Sequence, residues 1–160
     1  MEYVYAPWRS DYFSKKECSC VFCNISKDSE QDDKNHVFFR NKQIFCVMNK
    51  YPYSPGHFLI IPHAHTNSPE TIDEDIWIAM NLFAKKGISV LKEFGASGIN
   101  IGMNLNKEGG AGIPEHIHLH LVPRFGSDTN FFTTIADSRA YGVDFEEVFL
   151  KIKNISKKYF

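Results

Sequence analysis

Residues His116 to Leu121 read His-Ile-His-Leu-His-Leu, and strict alternation of this kind has the two-residue period of a β-strand. A strand rises about 3.3 Å per residue and turns successive side chains to opposite faces, so residues two apart stand about 6.6 Å from each other on one side. His116, His118 and His120 therefore share a face. Ile117, Leu119 and Leu121 share the other, as expected of a strand whose apolar side meets a helix or core. The fold must supply a sheet with an apolar layer across it. Threonine, valine or lysine would serve a merely solvated face at lower cost than three imidazoles. A neutral imidazole is a good nucleophile near pH 7, and an imidazolium can donate to a phosphate oxygen or a leaving group. The histidine strand is thus the candidate reaction centre.

Around it the chain divides into recognisable elements. Val37-Phe38-Phe39 and Ile44 to Met48, separated by Asn41-Lys42, predict a hairpin. Tyr51-Pro52-Tyr53-Ser54-Pro55-Gly56 predicts a structured loop leading into a strand over His57–Ile61. Ser68-Pro69 and Thr71-Ile72-Asp73-Glu74 carry helix-start signals. Apolar residues then recur at helical spacing from Ile76 to Phe94, interrupted by Gly87, until Gly95 offers a stop. This predicts one helix of roughly six turns. Ile99–Met103 and His116–Val122 read as two more strands, and Phe145–Tyr159 as a final helix with Phe145, Val148, Phe149 and Ile152 on one face. The polar run from Ser26 to Asn35 has nothing apolar to anchor it and predicts a mobile loop. No internal repeat and no second core is apparent.

A chain of 160 residues fits one domain over 1–160. Its 18 Lys and Arg against 19 Asp and Glu give a net charge of −1, which offers no global attraction to nucleic acid, so phosphate binding must be local. The start, Met1 to Arg9, lacks a signal-peptide pattern, and the aliphatic run Phe58–Ile61 is too short to span a bilayer. These features predict a cytoplasmic protein with no membrane partner.

Between the last two strands, Asn104 to Pro114 contains Gly109, Gly110 and Gly112. Glycines let backbone N–H groups approach an anion closely, as in phosphate-cradling loops. The loop leads straight into the three histidines, and Arg124 follows them, so phosphate chemistry is the economical reading. Upstream, Cys20-Val21-Phe22-Cys23 has the spacing that lets two thiolates share one zinc ion, with two further ligands to come from elsewhere. A redox role for the pair is the alternative, but no thioredoxin-type strand and helix follow.

Taken together, His116-Ile-His118-Leu-His120-Leu-Val122 resembles the motif of the histidine triad (HIT) family, His-x-His-x-His followed by apolar residues. The likeness extends through Asn104 and the glycine loop and through Tyr53 to Pro62, so that nearly everything from about Cys20 onward fits the pattern, with residues 1–19 as an N-terminal extension. The resemblance implies an α+β fold with a five-stranded antiparallel sheet, a long helix and a C-terminal helix, assembled as a homodimer. It implies that His118 attacks an α-phosphorus to form a nucleotidyl-histidine, that His120 contacts the phosphate or leaving group, and that the His116 carbonyl orients the His118 ring. Asn49 would then lie at the ribose, and Asn104 with the backbone of Gly110, Ala111, Gly112 and Ile113 at the phosphates. By likeness to zinc-bearing members, His65 and His116 would join Cys20 and Cys23 around a structural zinc ion. Cys18 or His63 could substitute, while His36 and His57 read as surface or packing residues.

Within the family, Gly112-Ile113-Pro114, Val122-Pro123-Arg124, Asp128-Thr129-Asn130-Phe131 and Pro7-Trp8-Arg9 resemble the diadenosine tetraphosphate phosphorylase-like branch. Phe125 stands where that branch usually has Trp, and the hydroxyl many members carry before the triad is missing. The implied activity is cleavage of dinucleoside polyphosphates, with inorganic phosphate as a possible acceptor. The alternatives are hydrolysis of nucleoside phosphoramidates or mononucleotide conjugates, a catalytic metal held jointly by the three histidines, and a non-catalytic nucleotide-binding module.

Overall fold

Strands β1 (Val37–Arg40) and β2 (Ile44–Met48) form the expected hairpin. Asn41 makes the turn, its Oδ1 accepting from the N–H groups of Gln43 and Ile44 at 2.8 and 2.9 Å. With β3 (Phe58–Pro62), β4 (Gly98–Gly102) and β5 (Leu119–Arg124) they build a five-stranded sheet in the order β1-β2-β3-β5-β4. Every neighbouring pair is antiparallel. This is the predicted α+β architecture, seen in a computed structural model that describes residues 20–126, 131–136 and 141–160. The expected N-terminal extension 1–19, including Cys18 and Pro7-Trp8-Arg9, and the stretch Asp128-Thr129-Asn130 lie outside the described residues. The described helices are α1 (Val21–Lys27), α2 (Glu74–Phe94), the short α3 (Phe131–Ala136) and α4 (Phe145–Ser156).

The period-two patterns of the strands sort their residues between two apolar layers. Ile44, Cys46, Met48, Phe58, Ile60, Leu119 and Leu121 face a large core with Met80, Phe83, Val90 and Leu91 of α2 and with Val148, Phe149 and Ile152 of α4. The alternate residues Phe45, Val47, Leu59 and Ile61 pack with Val37 and with Phe22 of α1, in a smaller cluster on the opposite face. The expectation of a single core is corrected here. Burial on both faces is what makes β2 and β3 continuous apolar runs.

Helix α2 begins later than Ser68-Pro69 suggests. Those residues open a 3-10 turn over Pro69–Thr71, and Ile72 is extended. The cap is Asp73, whose side chain accepts from the Asp75 N–H at 3.1 Å. Gly95 closes the helix as expected, with a φ of 114° and its N–H on the Leu91 and Lys92 carbonyls. Gly87, a weak helix former at mid-helix, has a packing reason: a Cβ there would lie 2.6 Å from Leu121 Cδ2 and 2.8 Å from Phe58 Cζ. Its missing side chain lets α2 settle directly on β3 and β5, which offsets a helix-propensity cost of about 1 kcal/mol.

Two boundaries depart from expectation. The segment 26–35, expected as a mobile loop, continues α1 to Lys27 and then forms a 3-10 turn over Ser29–Gln31. Its anchors are polar: Arg40 pairs with Asp32 and donates to the Ser26 and Ile25 carbonyls at 3.1 and 3.2 Å. The histidine strand itself starts at Leu119 and runs to Arg124, so His116 and His118 lie just ahead of it. Pairing of β3 with β5 stops at Ile60–Leu119. The Pro62 carbonyl beyond that point accepts from the His116 ring instead of from a strand N–H. No helix among the described residues is long and apolar enough to cross a membrane.

Candidate active site

The three histidines lie at the same end of the sheet, but their ring nitrogens are committed differently. His118 Nδ1 sits 2.9 Å from the His116 carbonyl oxygen. A carbonyl only accepts, so Nδ1 carries the proton and the neutral ring keeps its lone pair on Nε2. Burial lowers the pKa of His118 from the ordinary histidine value, with the His116 carbonyl and Glu115 opposing the shift in part. A neutral ring with a directed lone pair is the state a nucleophile needs. Phe22 holds the ring from the side at 5.2 Å between centroids.

His120 is set by a chain of bonds reaching back to the loop before β3. The Tyr53 backbone N–H donates to His57 Nδ1 at 3.1 Å, so that nitrogen is an acceptor and the His57 proton lies on Nε2. His57 Nε2 is 2.9 Å from His120 Nδ1, which must therefore accept. The proton of neutral His120 is left on Nε2, a buried atom with no hydrogen-bond partner among the described residues. Buried polar atoms are rarely orphaned, and those that are often await a ligand. His57 is fully buried and His120 nearly so. Burial, then the neighbouring His120 and His118, lower the His57 pKa to about 3; burial, then His118, lower that of His120 to about 4. Two rings 5.0 Å apart thus present opposite tautomers, a lone pair on His118 and an N–H on His120.

His116, wholly buried, faces away from this pair. Its Nε2 donates to the Pro62 carbonyl at 2.9 Å, which turns the Nδ1 lone pair toward two thiols. Cys20 Sγ is 3.3 Å and Cys23 Sγ 3.7 Å from that nitrogen, and His65 Nδ1 is 3.1 Å from Cys23 Sγ. All four donor atoms lie within 4.8 Å of one another. Bond lengths of about 2.3 Å to sulfur and 2.0 Å to nitrogen place tetrahedral donors roughly 3.5 Å apart, so the group can hold a metal ion. The Pro62 carbonyl supplies the outer-shell bond that metal-ligating histidines usually have. Both nitrogens of His116 are engaged away from His118 and His120, which argues against a metal shared by all three histidines.

The other expected residues divide. Asn49 stands beside the pair, its Oδ1 accepting from the Tyr51 N–H at 3.0 Å and its Nδ2 3.3 Å from the His57 ring nitrogens. Asn104 is near His120, both lining one hollow. In the glycine loop, the Gly110 N–H donates to Lys107 and the Ala111 N–H to Asn106, at 2.9 and 3.0 Å. The loop's own turns therefore consume two of the donors expected to face phosphate. Ile113 packs into the smaller apolar cluster, and Gly112 lies beside it in the chain. Arg124 donates to Asn100 Oδ1 at 3.1 Å, four residues beyond His120. His63 is set apart from the thiols, between Ser26 Oγ at 2.7 Å and the Asn41 carbonyl at 3.0 Å. His36 pairs with Glu146 at 2.5 Å and packs on Phe145 and Phe149, so its reading as a packing residue agrees with the structure. For His57 that reading misses its bond to His120. The available signal was its place in Gly-His-Phe-Leu-Ile-Ile, at the entrance to a strand buried on both faces.

Residues 30–127 match the HIT domain. The chain belongs to the HIT family. Over 135 residues, 84% of this chain and 68% of the relative, it is 34% identical to the AP-4-A phosphorylase of Mycobacterium tuberculosis. A HIT-like protein of Saccharolobus solfataricus is 29% identical over 142 residues, 85% of this chain and 99% of the relative. Among solved structures, a Zn-bound histidine triad family protein from Mycobacterium smegmatis superposes with a TM-score of 0.71 at 26% identity, covering 88% of this chain and 94% of that one.

The depressed pKa values of His57 and His120 give this HIT protein a stability that depends on pH. An unfolded histidine titrates near 6.5. Between that value and about 3 to 4, the unfolded chain binds protons that these two folded rings refuse. Their contribution is therefore present above pH 6.5 and is lost as the pH falls toward 4. Replacing His57 with Gln, which keeps a donor for His120 Nδ1, removes up to one proton from the linkage. Denaturant titrations between pH 6.5 and 4.5 should show a shallower fall in unfolding free energy for the variant, by at most about 1.4 kcal/mol per pH unit. Equal slopes would refute the assignment.

Proposed function

We propose that the chain cleaves nucleotide phosphoanhydrides through a covalent nucleotidyl-histidine on His118, with dinucleoside polyphosphates such as diadenosine tetraphosphate as substrates and inorganic phosphate as the acceptor. The observation that carries this reading is the opposed pair of tautomers. The His118 Nε2 lone pair attacks the α-phosphorus, and the bond from phosphorus to the polyphosphate oxygen breaks, releasing ATP. The buried His120 N–H donates to the oxygens that gain charge in this step. A phosphate oxygen then attacks the same phosphorus, the P–N bond breaks back onto His118, and ADP departs as the phosphate's proton passes to solvent. Asn49, at the end of β2, is assigned to the ribose, and Asn104 with the Gly112–Ile113 backbone to the phosphates. The likeness to the mycobacterial AP-4-A phosphorylase supports this substrate class, as do Val122-Pro123-Arg124 after the triad.

The metal of the Cys20, Cys23, His65 and His116 group is proposed to be zinc, since two thiolates and two imidazoles in a tetrahedral span suit it. When bound it supplies no chemistry to the phosphate and serves to fix His116, whose carbonyl sets His118. The free thiols of Cys20, Cys23 and Cys46 suit a reducing, cytoplasmic setting. A homodimer is proposed along the edge strand β4, where Ile101 is 45% exposed, with Ile78 and Leu82 exposed one turn apart on α2.

Incubation with labelled diadenosine tetraphosphate should trap an acid-labile adenylyl group on His118. Products should be ATP and ADP when phosphate is present, and His118→Ala should abolish turnover while still binding nucleotide. An AMP product at every phosphate concentration would replace phosphorolysis with hydrolysis, and neither product nor adduct would refute the enzyme. Native mass spectrometry should find one zinc per chain, lost in a Cys20→Ser, Cys23→Ser double variant and kept in His118→Ala. Loss of the metal from His118→Ala instead would contradict the ligand set.

A further inference from the structure

A hollow of about 230 Å³ opens between Tyr53 and β4 on the histidine face of the sheet. His120 and Val122 form its floor, and His118 is not among its lining residues. The strand register explains its shape. Gly102 stands directly across from His120, and Asn100 across from Val122, and cross-strand partners project to the same face. Gly102 therefore removes a side chain where one would fill the space. Packing among the described residues does not demand this glycine, because a Cβ there would meet none of their atoms within 4 Å. Above the floor the Tyr53 ring lies nearly parallel to that of His120, at 14° and 6.0 Å between centroids, and is 54% exposed. The side-chain oxygen of Asn100 is held by Arg124, which leaves its amide nitrogen as the donor available to a ligand.

Position relative to the reaction decides what the hollow can receive. In-line attack sends the leaving group to the side of the phosphorus opposite His118, and His120, whose ring lies 5.0 Å from that of His118, lines the hollow while His118 does not. Asn49 and His57 flank His120 from the β3 side, whereas the hollow is on the β4 side. Among the described residues, no Lys, Arg, Asp or Glu lines it, and Arg124 holds one lining residue, Asn100. A recess with an exposed aromatic ring and the Asn100 amide suits a flat, uncharged heterocycle better than a chain of phosphates.

We infer that the hollow between Tyr53 and β4 seats the nucleobase of the leaving half of a dinucleoside polyphosphate, stacked on Tyr53 and met by the Asn100 amide. The inference rests on the nucleotidyl-transfer reading above. It makes the second nucleoside, and not only the phosphate chain, a determinant of the substrate.

The test compares diadenosine tetraphosphate with adenosine 5′-tetraphosphate, which carry the same phosphates and differ only in the second nucleoside. The wild-type protein should favour the dinucleotide in kcat/KM. Gly102→Val, which fills the hollow with a strand-compatible side chain, and Tyr53→Leu, which removes the stacking surface, should each lower the ratio of the two kcat/KM values by about tenfold. A ratio unchanged in both variants, an equal loss on both substrates, or no wild-type preference would overturn the inference while leaving nucleotidyl transfer standing. A wild-type protein that cleaves neither substrate would overturn the functional reading and this inference with it.

Discussion

Two backbone groups determine which ring atoms His118 and His120 present. The His116 carbonyl accepts from His118 Nδ1–H, and the Tyr53 N–H donates to His57 Nδ1, so that His57 carries its proton on Nε2 and donates it to His120 Nδ1. Peptide groups cannot exchange donor for acceptor as imidazoles can. They therefore fix a sequence of tautomers that would otherwise be degenerate. Burial keeps the rings neutral, since it is the first cause of the lowered pKa in His57, His118 and His120 alike. Without that desolvation the same rings would protonate in mild acid, and His118 would lose its lone pair.

The rest of the fold holds those two backbone groups in place. His116 is tied through Nε2 to the last residue of β3 and through Nδ1 to the thiols at the start of α1. A metal in that group would connect α1, the end of β3 and the chain entering β5 at one point. Tyr53 is placed by the loop whose end, Gly56, packs under Phe94, where a Cβ would lie 2.9 Å from the ring. Gly87 brings α2 against Phe58 and Leu121, and these two residues are themselves partners across β3 and β5. The histidine end of the sheet is thus packed against α2 on one face and against α1 on the other.

Much of this was legible in the sequence because period-two alternation and glycine stops are local signals. The hairpin, the long helix ending at Gly95 and the opposed faces of the histidine segment are of that kind. The bond from His118 to the His116 carbonyl was implied by the resemblance to the histidine triad motif, and it forms in the segment just ahead of β5. Polar tertiary contacts were not legible. The segment 26–35 has no apolar anchor, yet Arg40 organises it through Asp32 and two carbonyls. His57 has the same character. Its role comes from an antiparallel pairing that sets Leu59 opposite His120, a relation between residues more than sixty positions apart. The glycine loop shows the converse, where composition suggested open N–H groups and two of them close turns within the loop.

The tautomer assignment is the claim on which the chemistry depends, and nitrogen NMR reads it directly. In a protein labelled with ¹⁵N at histidine, two-bond couplings from the ring carbons' protons assign each nitrogen as protonated or bare. At neutral pH, His118 should be protonated on Nδ1 with a bare Nε2, and His120 bare on Nδ1 with a protonated Nε2. The same tautomer on both rings, or a protonated Nε2 on His118, would contradict the account.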